Sequence, residues 1–208
     1  MWQSQPNSTL ISAPSTEPLT LAEAKLFLRV DTTAENALIT GMIVAARQFV
    51  ETYTRRSLVT QTWDCKYQGF MDTRRPLYVP HAPLQSVTSI TYLDEDGDAQ
   101  TLDSSYYSVR TFSGPTAGRG YVELNDDIAL PSLYTDALYP VTMRVVCGYG
   151  AAAAVPDGLK AALYLMLGDL YEQRQETMTS VSSKTQTTME RLMSPYRSEE
   201  HTSELQSH

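Results

Sequence analysis

Near its start, the chain repeats apolar residues at the spacing of a helix face. The segment TLAEAKLFLRV places Thr20 and Glu23 at the spacing of a capping box, in which a hydroxyl and a carboxylate each satisfy a free backbone N–H group. A helix is therefore predicted over residues 20–30. Before it, residues 1–18 are dominated by Ser, Thr, Pro and Asn without an apolar period, which predicts a flexible N-terminal arm.

Two longer helices are predicted from the same period. Thr32 and Glu35 repeat the capping-box spacing, and the apolar face that follows predicts a helix over residues 34–55. That face comprises Leu38, Ile39, Met42, Ile43, Ala46, Phe49, Val50 and Tyr53. A second apolar stripe predicts a helix over residues 157–174. That stripe comprises Leu159, Ala162, Leu163, Met166, Leu167, Leu170 and Tyr171.

Between these helices, the pattern changes to that of β-structure. Residues 60–147 are rich in β-branched and aromatic residues and are divided by clusters of Gly, Pro, Asn and Asp. The predicted strands lie at about 60–68, 86–94, 99–103, 106–111, 120–124 and 141–147. Residues 125–140 form a loop long enough to carry a binding surface. The predicted fold is α+β, a helical body with an inserted antiparallel β-region of about six short strands.

A short amphipathic segment follows the last long helix. Residues 176–196 begin with a Thr- and Ser-rich linker and end in MERLMSPYR, where Met189, Leu192 and Met193 share one helix face. Pro195 ends that helix. A helix this short is not stable alone in water. It must therefore dock on its own domain or on a partner.

The last twelve residues, 197–208, are similar, residue for residue, to one reading frame of a widely used DNA-sequencing adapter. We therefore expect this tail not to be native and assign it no part in the fold or the function. The full chain has 16 basic and 24 acidic residues and a net charge of −8. Without the tail's one Arg and three Glu, 15 basic and 21 acidic residues remain, so the charge is −6.

This acidic balance argues against a surface that grips nucleic acid, because such affinity comes mainly from Lys and Arg displacing counterions. The chain shows neither the pattern of a signal peptide nor an apolar run of the length that a membrane span needs. We therefore expect a soluble product made in the cytoplasm. Cys65 and Cys147 each lie in a strand-like run, which predicts two buried free thiols.

The acidic segment YLDEDGD raises the question of a calcium loop. An EF-hand loop needs oxygen ligands at positions 1, 3, 5 and 12 and glycine at position 6. Aligning Gly97 with position 6 puts Tyr92 at position 1 and Asp103 at position 12, and the flanks are strands instead of helices. Asp96 and Gly97 instead suit a two-residue type I′ hairpin turn. The sequence predicts a hairpin with a solvated acidic tip, and neither a metal site nor a cofactor.

Candidate catalytic residues are few. Outside the tail, His81 is the only imidazole, and neither a Gly-x-Ser-x-Gly nucleophile motif nor a glycine-rich phosphate loop opening a helix is present. We therefore predict no enzyme activity and no catalytic residue. Two alternatives stay open: a stand-alone binding module that uses the hairpin or residues 125–140, and a hydrolase that uses His81 with a nearby carboxylate.

The order and spacing of four segments resemble the head-tail connector proteins of tailed bacteriophages, also called adaptor or head completion proteins. The segments are LTLAEAKLFLRVD, ALITGMIVAARQFVETYTRRSLVTQTW, PHAPLQSVTSITYLDEDG, and CGYG followed by VPDGLKAALYLMLGDLYEQRQE. The resemblance covers about residues 18–175, and MERLMSPYR is similar to the ending of many of these proteins.

This resemblance implies a structural protein of the virion neck, made in the host bacterial cytoplasm. Such connectors form a twelve-fold ring on the portal and extend the channel for DNA packaging and ejection toward a stopper or tail completion protein. DNA passes through without specific binding. A C-terminal segment commonly reaches the portal protein. On this analogy, the portal-docking residues are Met189, Leu192, Met193 and Tyr196.

Overall fold

The computed structural model describes residues 7–70, 76–125, 127–173 and 183–198. Within these ranges, the helices are α1 (Leu21–Leu28), α2 (Asn36–Thr54), α3 (Asp157–Glu172) and α4 (Ser183–Met193). The strands are β1 (Asn7–Ser12), β2 (Gln61–Tyr67), β3 (Leu77–Tyr78), β4 (Leu84–Leu93), β5 (Ala99–Thr101), β6 (Tyr107–Arg110), β7 (Tyr121–Leu124) and β8 (Val141–Cys147). The mixed α and β class with antiparallel sheets is confirmed, with two more strands than the six predicted.

The two predicted capping boxes have different outcomes. At α1 the box forms: the Glu23 N–H donates to the Thr20 hydroxyl at 3.2 Å, and the Thr20 N–H donates to the Glu23 carboxylate at 2.8 Å. At α2 the box of Thr32 and Glu35 is wrong, because Glu35 caps the helix without a side-chain hydrogen bond. Its carboxylate instead accepts a hydrogen bond from the Tyr171 hydroxyl of α3 at 2.6 Å. A tertiary contact has replaced a local one.

The four helices enclose one apolar core. The helix predicted over 34–55 is present as α2, and it buries Ile39, Ile43, Ala46 and Val50. The helix predicted over 157–174 is present as α3, which lies between α1, α2 and α4. Two residues of the predicted α2 face are not in this core, since Leu38 is 45% and Phe49 37% exposed. None of the described helices has the length and hydropathy of a membrane span.

A second apolar core lies in the β-region. The larger sheet has the strand order β1-β2-β8-β4-β5, and the smaller has the order β3-β7-β6. In the register of the larger sheet, Cys65 lies opposite Met143 and Gln61 lies opposite Cys147. Both cysteines are buried and free, as predicted.

The prediction that residues 1–18 form a flexible arm is wrong for residues 7–12. These residues form β1, which pairs antiparallel with β2 at the edge of the larger sheet. Most β1 side chains are exposed, so the strand is held by backbone hydrogen bonds and shows no apolar period in the sequence. The two-residue strand β3 was missed for a similar reason, because it is too short to show any period.

The acidic segment is a hairpin tip between β4 and β5, as predicted, but the turn is not type I′. Gly97 has a φ of +87°, whereas Asp96 is not in the left-handed region. The Gly97 N–H donates to the Asp94 carbonyl at 2.9 Å, as in a type I turn followed by a left-handed glycine. The Asp94 carboxylate accepts from the N–H groups of Asp96 and Asp98 at 3.2 and 2.9 Å. Its hydrogen bond from the Gln100 side chain, together with these backbone N–H groups, lowers the pKa of Asp94.

The long loop of residues 125–140 packs against this hairpin. The Tyr134 N–H donates to the Leu93 carbonyl at 3.0 Å, and the Tyr134 ring lies over Gly97. The next part of the loop is open, since Leu138 is 67% exposed. The hairpin tip and the loop therefore form one continuous surface.

Candidate functional site

The four predicted docking residues come together on the chain's own helical core. Met189 is 1% exposed and Met193 is fully buried, and both pack where α4 lies on α3. Leu192 and Tyr196 are partly buried against the same core. The segment therefore docks on its own domain in this structure. In this conformation, the two methionines cannot also contact a partner.

Tyr196 is fixed by a site that the sequence did not indicate. A Cβ on Gly158, in the first turn of α3, would lie 2.7 Å from the Tyr196 hydroxyl oxygen, so this glycine makes room for the ring. Arg56 is 3% exposed, and its Nε donates to the Tyr196 carbonyl. The Arg56 Nη1 donates to the Tyr149 hydroxyl at 3.1 Å, and that hydroxyl donates to the Pro115 carbonyl at 2.6 Å. Arg56 and Gly158 lie in two of the segments that carry the family resemblance, but nothing in those segments indicates a contact with Tyr196, which only the tertiary structure reveals.

A cleft of about 620 Å³ lies beside this segment, between β1, the end of α2 and β2. One wall is charged, because Arg47 contacts both Glu17 and Glu51 at 2.7 Å. Burial opposes the charge on Arg47, but the hydrogen bonds and attraction of the two carboxylates raise its pKa. Burial raises the pKa of Glu51, although the Leu58 N–H and Arg47 oppose this effect. The charged groups of this wall are thus engaged in structural ion pairs within the chain.

His81 lies at the opposite wall of the cleft. Its ring stacks on Trp63 with 3.9 Å between centroids, and its Nε2 lies 2.9 Å from the Ser8 hydroxyl. A serine beside a histidine is the arrangement of a nucleophile and its base. However, burial and the nearby Arg119 lower the pKa of His81 to about 4. A base this weak is poorly matched to neutral pH, and this low pKa argues against the hydrolase alternative.

The described residues also contain no group of three or more His, Cys, Asp or Glu side chains arranged to hold a metal ion. Of the linker predicted at residues 176–188, residues 176–182 lie outside the described residues, whereas residues 183–188 form the start of α4, so the predicted linker is wrong there. Most of the adapter-like tail, residues 199–208, also lies outside the described residues. Of that tail, Arg197 lies over the Tyr53 ring at 5.8 Å, and the Ser198 N–H donates to the Thr54 carbonyl at 3.0 Å. The adapter origin of the tail stays a prediction.

Part of the chain is similar to a known protein family. Residues 18–112 match the profile of the family described as phage gp6-like head-tail connector protein. No curated protein matches the chain.

Three solved structures share the fold. One is a chain described as the neck of an empty GTA particle computed with C6 symmetry, with a TM-score of 0.74, 20% identity, and coverage of 95% of this chain and 98% of that one. A chain from the virion of a native gene transfer agent (GTA) particle has a TM-score of 0.72 at 20% identity, covering 94% and 97%. A chain from the neck of a native GTA particle computed with C12 symmetry has a TM-score of 0.64 at 16% identity, covering 94% and 98%. Residues 18–112 are thus similar to the phage gp6-like head-tail connector family, and the whole chain shares the fold of these neck and virion chains.

Proposed function

We propose that this chain is a structural, non-enzymatic protein of the virion neck. It forms a ring on the portal protein, extends the DNA channel, and joins the head to a stopper or tail completion protein. One observation carries the proposal: the fold matches a chain of a GTA neck over 95% of this chain and 98% of that one. The connector family match over residues 18–112 supports the same role.

The charge of the chain is compatible with a conduit. With a net charge of −8, the protein repels phosphates on average and lacks the excess of Lys and Arg that binds DNA tightly. DNA then passes through the ring without specific binding.

Portal docking through the C-terminal segment requires a change from the conformation described here. Met189 and Met193 are in the core, so they reach a portal groove only if α4 leaves α3. The apparent affinity for the portal is then lowered by the small fraction of chains in which α4 is released. A portal groove that takes these residues must replace the apolar contacts that α3 provides.

Gly158→Ala tests this release. The added Cβ displaces the Tyr196 ring and weakens the docking of the segment, while the four predicted docking residues themselves are not substituted. We expect the variant to bind purified portal more tightly than wild type, as measured by biolayer interferometry. A matched control is Gly41→Ala, where a Cβ meets no atom within 4 Å. Unchanged or weaker portal binding by Gly158→Ala would refute docking by release.

The surface formed by the hairpin tip and residues 125–140 is the proposed contact for the tail-side partner. Leu138 is the apolar residue that it offers, and it is 67% exposed. This surface would also serve the alternative function of a stand-alone binding module. A chain that stays monomeric and does not bind the portal protein would favour that alternative.

The neck function is tested in the particle that encodes this chain. Disrupting its gene is expected to give DNA-filled heads without attached tails, and supplying the full chain in trans is expected to restore them. Electron cryomicroscopy of complete particles should place a twelve-fold ring of this chain between portal and tail. Tailed particles that form normally without the chain would contradict the proposal.

A further inference from the structure

The outer face of α2 carries no charged side chain. The helix has two charged residues, Arg47 and Glu51, and these pair with each other at 2.7 Å and are not exposed. The exposed positions are Ala37, Leu38, Thr40, Gly41, Ala45, Gln48, Phe49 and Thr52. A surface helix of a monomer normally carries charged and polar residues opposite its core face. This face has the composition of a contact surface.

Three exposed residues of this face, together with Met42, which is partly buried against the helical core, have the spacing of a helix-packing seam. Leu38, Met42, Ala45 and Phe49 follow one another at intervals of four, three and four residues, which is the alternation of a heptad seam. We call these four residues the α2 seam. Leu38 is 45% and Phe49 37% exposed, although both are large and apolar. Ala45 between them lets a second element approach closely.

A second surface with exposed apolar residues lies on the other flank of the helical body. The Lys25 amine of α1 donates to Asn36 at 3.1 Å, which places α1 on the flank of α2 that carries Asn36. At 3.6 residues per turn, that flank is roughly half a turn around α2 from the seam. On α1, Leu26 is 81% exposed beside a groove of about 820 Å³, which we call the α1 groove. Its lining is Leu21, Ala22, Lys25, Leu26, Arg29, Val30, Asp31 and Asn36.

We propose that the α2 seam of one copy packs into the α1 groove of the next copy, and that this contact closes the ring. The inference rests on the proposed ring-forming function and identifies its subunit interface. A cyclic ring with more than two copies needs two different patches on separate flanks of each subunit, and the seam and the groove meet this requirement. Exposed apolar patches of this kind mark protein contacts. The uncharged seam also avoids burying an unpaired charge, while Lys25 and Arg29 can cover apolar surface with their aliphatic stems.

The test introduces one glutamate into each patch of the full chain, as Ala45→Glu and as Leu26→Glu. The control is Thr88→Glu, an exposed position of β4 that belongs to neither patch. Assembly on purified portal is followed by mass photometry over a range of concentrations. Each patch variant alone should need about tenfold more protein or greater to form rings, and the control should assemble like wild type. All three sites are exposed, so thermal unfolding should confirm an intact fold.

An equimolar mixture of the two variants gives the sharper result. The Ala45→Glu copy keeps its groove and the Leu26→Glu copy keeps its seam, so one contact can form between them and no further copy can add. The inference predicts one-to-one heterodimers and few rings. Normal rings from either variant or from the mixture would overturn it, as would a mixture that stays monomeric. Wild-type chain that stays monomeric on portal would instead overturn the ring function itself.

Discussion

The docking of the C-terminal segment on α3 should contribute to the free energy of unfolding of the chain, which can be measured. Met189 is 1% exposed and Met193 is fully buried, and they lie one helical turn apart on the same face of α4. Replacing a buried methionine by alanine removes apolar contacts and leaves a cavity, which costs about 2–5 kcal/mol. We expect Met189→Ala and Met193→Ala each to lower the free energy of unfolding by an amount in that range. Because the two side chains share one site, the double variant should lose less than the sum.

The assay is urea unfolding of the full chain followed by circular dichroism. Arg191→Ala is the control, because this residue is exposed on the same helix, and a change of less than about 0.5 kcal/mol is expected. In a thermal scan, each kcal/mol should correspond to about 2–4 °C for a domain of this size. Losses below about 1 kcal/mol for both methionine variants would show that α4 is already detached in solution. Deleting residues 185–196 is less informative, because it exposes the apolar surface of α3. A loss of portal binding could then come from a loss of folding.

Three further predictions concern single sites. Gly148→Ala should lower the free energy of unfolding by more than about 2 kcal/mol, because φ is +121° and a Cβ would lie 2.4 Å from the Val59 carbonyl oxygen. Gly41→Ala in α2 should raise the free energy of unfolding by about 0.5–1 kcal/mol, because alanine favours a helix more than glycine does. Urea unfolding checks both. Since the pKa of His81 is about 4 when folded and about 6.5 when unfolded, its neutral form stabilises the fold above pH 6.5, and this contribution is lost as the pH falls toward 4. Wild type should therefore lose about 2 kcal/mol more than His81→Gln between pH 7.5 and 5, and parallel pH curves for the two would contradict the burial argument. Burial raises the pKa of Cys65 to about 12 and also that of Cys147, so a thiol reagent at pH 8 should label the protein only in urea; rapid labelling of the folded chain would refute this.

Sequence periodicity predicted the elements that bury a repeating face and failed where an element is held by other means. The strand predicted at 141–147 has those bounds in β8, where buried side chains alternate with more exposed ones. The strand at residues 7–12 was missed because edge pairing through the backbone leaves no trace in the side chains. The capping box predicted for Thr32 and Glu35 does not form, and the Glu35 carboxylate accepts a hydrogen bond from a residue 136 positions away, which no local pattern can indicate.

Leu38 and Met193 show what helical spacing leaves open. Leu38 was predicted to share one apolar face with the core residues of α2 and is 45% exposed, whereas Met193, a predicted portal-docking residue, is fully buried in this conformation. Helical spacing establishes that apolar residues share a face, but the same spacing serves a face covered by the chain itself and a face covered by a neighbour. What separates them is the number of elements available to cover each face, and that depends on the tertiary structure. In this fold, α3 lies between the other three helices, so α4 covers its remaining side and the seam on α2 is left open. The residual apolar surface therefore argues for self-assembly through α2, and any portal contact through Met193 must first compete with the chain's own core.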